Sequence, residues 1–160
     1  MKKRVLKYFF WALTVIIMVS IFCFSSQGGE ESLSTSEGFT MNFLSLFKSF
    51  KNLPEERRYE IVDGIQNLVR KTAHFSVYAM LGISMLSAFL LTFKGKLTWL
   101  YALSGCLLYA ISDEVHQAFV PGRSGEIRDV IIDTLGAFLG ILLVILIKHL
   151  YSRKKVYSKK

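Results

Sequence analysis

VIIDTLGAFLGILLVILIKHL, residues 130–150, is the stretch that decides the architecture. Its apolar residues are continuous, spaced neither at helical nor at strand period, and it carries a lone acid, Asp133, before Lys148. A run of roughly 20 such residues is what a hydrocarbon core of about 30 Å requires. In lipid every backbone N–H and C=O must be satisfied within the segment or a closed barrel, so an isolated run of this kind is a helix. Three more runs, at about 8–24, 73–93 and 97–116, read the same way. The expectation is an all-α, polytopic membrane protein with about four transmembrane helices, residues 1–160 forming one domain. With 52% hydrophobic and 20% charged residues, the composition agrees.

The net charge of +8 raises the possibility of a nucleic-acid partner, which the placement of the cations argues against. They flank the apolar runs, where they set orientation and attract anionic headgroups. With the N-terminus inside, Lys2, Lys3, Arg4, Lys7, Lys94, Lys96, Lys148, Arg153, Lys154, Lys155, Lys159 and Lys160 are cytoplasmic. Every acidic residue falls on the other side, so the split is +12 against −4. Both termini are expected in the cytoplasm, with residues 25–72 outside. The basic start and first run read as an uncleaved signal anchor, since no small-x-small cleavage site follows. Lys94-Gly95-Lys96 leaves room only for a tight turn between antiparallel helices. Trp11, Trp99 and Tyr101 fall at interfacial positions near the cytoplasmic ends. Cys23 and Cys106 show no metal-binding spacing and read as small buried apolar residues without a disulfide.

Within 25–72, Ser26 to Glu30 reads as irregular. Phe39, Phe43, Phe47 and Phe50 then recur at helical spacing and predict an amphipathic helix in the headgroup zone. Asn52 is placed to cap the next helix, with Pro54, Glu55 and Glu56 in its first turn. Ile61, Ile65, Leu68 and Val69 give that helix an apolar stripe that can continue into the second span.

Polar residues gather in four groups that the topology puts at one outer level. Ser25-Ser26-Gln27 ends the first span. Lys71, His74 and Tyr78 share a face at the start of the second. Asp113, Glu114, His116 and Gln117 close the third, with Asp113 on the face of His116 and Gln117 and Glu114 about a hundred degrees round. Arg123, Asp129 and Asp133 open the fourth, and Asp129 or another acid could pair with Lys71 or Arg123 to lock the bundle. Ionisable groups inside a span cost roughly 2.5–3.5 kcal/mol at its centre and by default mark function. His74, Asp113, Glu114 and His116 are the candidate catalytic residues, as general acids or bases. Lys71, Tyr78, Gln117, Arg123, Asp129 and Asp133 are the candidate substrate-binding residues, Lys71 and Arg123 for a phosphate. The spacing matches no standard metal motif, and no metal or other cofactor is expected. Gly136-Ala137-Phe138-Leu139-Gly140 permits close helix approach, within the bundle rather than between copies. Oligomeric state is left open.

Lys71-Thr72-Ala73-His74-Phe75 with Tyr78, the stretch SDEVHQAFVPGR at 112–123, Asp129 to Gly136 and Phe24-Ser25-Ser26-Gln27 together resemble the VanZ-like family. The likeness runs from about Tyr8 to Leu150. It implies a bacterial cytoplasmic-membrane protein, related to one that confers low-level resistance to the glycopeptide teicoplanin. It marks the candidate residues above as signature positions without assigning them roles. Three readings remain: an enzyme acting on an envelope lipid or lipid-linked polymer at the outer leaflet, a non-catalytic lipid- or antibiotic-binding or transport module, and a structural ion-paired clasp.

Overall fold

A computed structural model describes the backbone of residues 2–157 and side chains as far as Arg153. Lys159 and Lys160, counted above as cytoplasmic cations, lie outside the described residues, as do the side chains of Lys154 and Lys155. The described chain is all-α, with six helices: α1 (Lys2–Ser25), α2 (Gly29–Leu44), α3 (Lys48–Lys51), α4 (Glu55–Thr92), α5 (Thr98–Gln117) and α6 (Ile127–Tyr157). Three of them are long and apolar enough to cross a membrane, α1, α4 and α6 (through Arg153), rather than the four expected. The fourth expected span, α5, falls short because its last turns hold Asp113, Glu114, His116 and Gln117.

α4 runs unbroken for 38 residues, roughly 57 Å at 1.5 Å per residue, so the amphipathic stripe of residues 61–69 does continue into the apolar run. α2 packs against α4. α1 and α5 run parallel to each other: the Tyr109 hydroxyl donates to the Met18 carbonyl at 2.6 Å, and Gln117 reaches Ser25. α4 and α6 run parallel in the opposite sense. The Trp11 indole N–H donates to the Thr92 hydroxyl at 3.0 Å, fixing the start of α1 beside the end of α4.

The closest packing is between α4 and α6. A Cβ on Gly136 would overlap the Phe75 carbonyl, one on Gly140 the Ala79 carbonyl, and one on Gly82 the Ala137 carbonyl. The small-residue spacing therefore works inside the bundle, letting backbones touch where lipid supplies little hydrophobic drive for association. Around this seam lie Ile17, Ile21, Tyr78, Leu81, Met85, Leu86, Cys106 and Ile141, all buried. Outward positions such as Ile16, Val19, Leu108, Leu139 and Leu143 are exposed, an apolar surface too extensive for water and suited to lipid. Both cysteines are free, but only Cys106 is buried; Cys23 is exposed on α1.

Outside the apolar runs, the local expectations are corrected by tertiary contacts. α2 begins at Gly29, inside the stretch expected to be irregular, because the Gly29 N–H donates to the Pro121 carbonyl at 3.0 Å. The phenylalanine stripe is not one helix. The chain turns at residues 45–47, leaving Phe39 65% exposed and stacked on Phe43, which meets Phe47 edge-on, while Phe50 on α3 is only 7% exposed. Asn52 closes α3 instead of opening α4, whose N-cap is Pro54, at φ −54°. A proline fixes that dihedral without needing a capping hydrogen bond.

Candidate functional site

The polar ends of α1, α5 and α6 meet the middle of α4 at one end of the bundle, around a cleft of about 130 Å³. Arg70, Lys71 and His74 of α4, Gln117 of α5, Asp129 and Asp133 of α6, and Arg123, Ser124 and Glu126 of the intervening loop line it. The loop is held by a backbone contact: Gly122 takes φ +74°, and a Cβ on Gly29 would overlap the Gly122 carbonyl. Glycine adopts that left-handed conformation without the clash a side chain would bring. The turn aims Arg123 back across three helix ends. Its guanidinium donates to the Gln117 side-chain oxygen at 3.1 Å, to the Ser32 hydroxyl, and to the Phe24 carbonyl at 3.4 Å. Burial pulls its pKa below the ordinary value, as does the charge of Arg70, and Asp113 and Glu114 oppose them. A guanidinium starts so high that it stays cationic regardless.

Behind the lining lies a connected layer. The Gln117 amide donates to Asp113 Oδ2 at 3.1 Å and, more loosely, to Glu114 Oε1 and Ser25 Oγ, both at 3.4 Å. The Tyr78 hydroxyl donates to Asp113 Oδ2 at 3.4 Å, and Tyr78 is fully buried. Glu114 Oε2 accepts the backbone N–H of Glu126 at 2.8 Å, immediately before α6. A carboxylate there satisfies one of the free N–H groups of a helix start and meets the positive end of its dipole. Lys71 pairs with Asp129 and lies 3.7 Å from Glu126. Arg123 therefore does not pair with Asp129. Its partners are neutral, and the ion pair belongs to Lys71.

Nine of the ten sequence-predicted residues are gathered here; His116 stands apart. It stacks on Phe22 with ring centroids 4.6 Å apart, and its Nε2 is 3.1 Å from the Ser26 hydroxyl. Glu114, not His116, turns inward with Asp113 and Gln117, because α5 is embraced by α1, α4 and α6, widening its buried arc. Two contributors were missed. Arg70 lines the cleft and makes no ion pair among the described residues. Glu126 touches Lys71 and hands its N–H to Glu114. Adjacency to Lys71 was the available signal for Arg70; for Glu126 only the fold supplies one.

His74 Nδ1 lies 3.9 Å from Asp133 Oδ2, beyond hydrogen-bond length. Asp133 is 1% exposed, and neither of its side-chain oxygens has a hydrogen-bond partner. An imidazole beside carboxylates can move protons, and three cations around one cleft can hold an anion.

No curated protein and no solved structure matches the chain. The family model described as VanZ/LLP1 matches residues 10–148, which takes in α4, α5, the loop and the first two-thirds of α6. With nearly the whole sequence matched and membrane-length helices carrying it, the chain belongs to the VanZ/LLP1 family.

Proposed function

We propose that this protein sits in a bacterial cytoplasmic membrane with four spans and both termini inside, and that its cleft binds the phosphate-bearing head of an envelope lipid or lipid-linked polymer at the outer leaflet. Binding there contributes to teicoplanin resistance in this reading. The observation that carries it is the set of three cations, Arg70, Lys71 and Arg123, around one cleft at the bundle end. The charge split along the sequence supports the orientation. For the fourth span, α5 has 20 residues, about 30 Å of helix, and its polar last turns face the bundle rather than lipid. The cleft is small, about 130 Å³. That favours a phosphate ester over a whole glycopeptide as the ligand.

A second reading, catalysis on the same headgroup, is favoured by His74 beside Asp133, since an imidazole next to a carboxylate can relay a proton. Glu114 is better suited to holding α6 than to proton transfer, since both its oxygens already accept hydrogen bonds.

The test compares wild type, an Arg70→Glu/Lys71→Glu double variant and His74→Ala, at matched membrane levels. Teicoplanin susceptibility and co-purifying anionic lipid are measured together. The double variant should lose protection and retain at least about tenfold less anionic lipid, each lost charge-assisted bond being worth about 1.5–3 kcal/mol. Unchanged lipid retention would refute headgroup binding. No protection by wild type would remove the resistance role. Full protection by His74→Ala would end the catalytic reading and leave binding in place.

A further inference from the structure

We infer that the floor of the cleft is a divalent-cation site built by His74 of α4, Asp113 of α5 and Asp133 of α6. Each offers one ligand atom, and the three atoms lie within 4.8 Å of one another. Three separate helices thus converge on one point, none of them through a loop. Asp113 and Asp133 are 4% and 1% exposed, so both carboxylates have left water. Asp113 receives only neutral donors, Tyr78 and Gln117, and Asp133 receives none on either oxygen. Neither is ion-paired to the nearby basic residues, because Lys71 is committed to Asp129 and Glu126, and Arg123 to Gln117, Ser32 and the Phe24 carbonyl. Buried carboxylates are ordinarily paired or coordinate a metal. Among the described residues His74 is the one basic side chain within 4 Å of Asp133, and at 3.9 Å it stands at the distance of a shared ligand rather than a hydrogen bond.

The donor set selects the class of ion. One imidazole nitrogen with carboxylate oxygens and no thiolate suits zinc, manganese or ferrous iron, whereas magnesium and calcium prefer oxygen throughout. At bond lengths of about 2.0–2.2 Å a cation holds its ligands no more than about 4.4 Å apart. The trio, already within 4.8 Å, therefore needs to close in by no more than about 0.4 Å on binding. Three protein ligands leave coordination positions open, as in catalytic rather than structural sites. Those positions suit a phosphate oxygen held by the cations above, and in that respect the inference rests on the proposed headgroup site. Tyr78 and Gln117, both bonded to Asp113, would be the positioning residues that orient its carboxylate.

The experiment uses the full chain, with any purification tag removed, in nanodiscs of phosphatidylcholine. Manganese, zinc and cobalt are titrated separately. Wild type should bind one equivalent and give cobalt d–d absorption bands of mixed nitrogen and oxygen ligation. Asp133→Asn and Asp113→Asn, checked for monodisperse elution, should weaken binding by more than the roughly 10–100-fold typical of outer-shell partners. Absence of the cobalt bands in wild type overturns the site even if neither variant folds. Equal affinity in wild type and Asp133→Asn does so too. Repeating the titration with phosphatidylglycerol present separates the two ideas. Metal bound without anionic lipid retained leaves the cation site standing and sinks headgroup binding, and lipid retained without metal does the reverse.

Discussion

Gly140→Val is expected to cost the folded bundle at least about 2–3 kcal/mol, and Gly136→Val about the same. At both positions the added side chain meets backbone: the Ala79 carbonyl at Gly140 and the Phe75 carbonyl at Gly136. Overpacking a well-filled interior typically costs about 1–3 kcal/mol when side chains can shift. Here a main-chain carbonyl of a long helix is in the way, so α4 and α6 must separate. Separation forfeits the van der Waals contact that drives helix association in lipid. Because total stabilities run about 5–15 kcal/mol, the double variant should leave little folded protein. Gly64→Ala is the matched contrast. Gly64 also lies within α4, but a Cβ there meets nothing within 4 Å, so relief of glycine's helix penalty should raise stability by about 0.5–1 kcal/mol. Thermal melting of the purified proteins in one detergent checks both. Equal melting temperatures for Gly140→Val and wild type would mean that the seam is looser than described.

Arg123→Ala is expected to lower stability by about 2–3 kcal/mol and to loosen α2 first. One guanidinium joins α5 through Gln117, α2 through Ser32 and α1 through the Phe24 carbonyl. Bonds to a charged donor contribute about 1.5–3 kcal/mol each in favourable settings, but the site is half-open to water, which moderates the sum. Arg123→Lys should rescue little, since an ammonium cannot span three acceptors as a planar fork does. Hydrogen exchange reads the distinction: faster exchange confined to α2 and the helix ends supports the strap, whereas unchanged α2 protection in Arg123→Ala refutes it. A Lys71→Asp/Asp129→Lys exchange tests the separate ion pair, and it is that pair, not Arg123 with Asp129, that a charge swap can rebuild.

What could be read from the chain alone follows from short-range physics. A continuous apolar run such as residues 130–150 has one outcome in lipid, and cations crowded beside such runs have few roles besides orientation. The helical fold, the tight turn at Lys94–Lys96 and the gathering of Lys71, His74, Asp113, Gln117 and Asp133 near one level were legible for that reason. The tertiary structure decided the rest. Which way α5 faces depends on how many neighbours surround it, so Glu114 turned in and His116 turned toward Phe22. The start of α2 depends on a backbone bond from Gly29 to Pro121, more than ninety residues away in sequence. Arg123 bonds to neutral groups because the left-handed Gly122 aims it away from Asp129. The trio of His74, Asp113 and Asp133 has no sequence spacing at all, since one residue comes from each of three helices. Periodicity specifies what a helix can bury; only packing specifies against what, and the chemistry of this cleft depends on that choice.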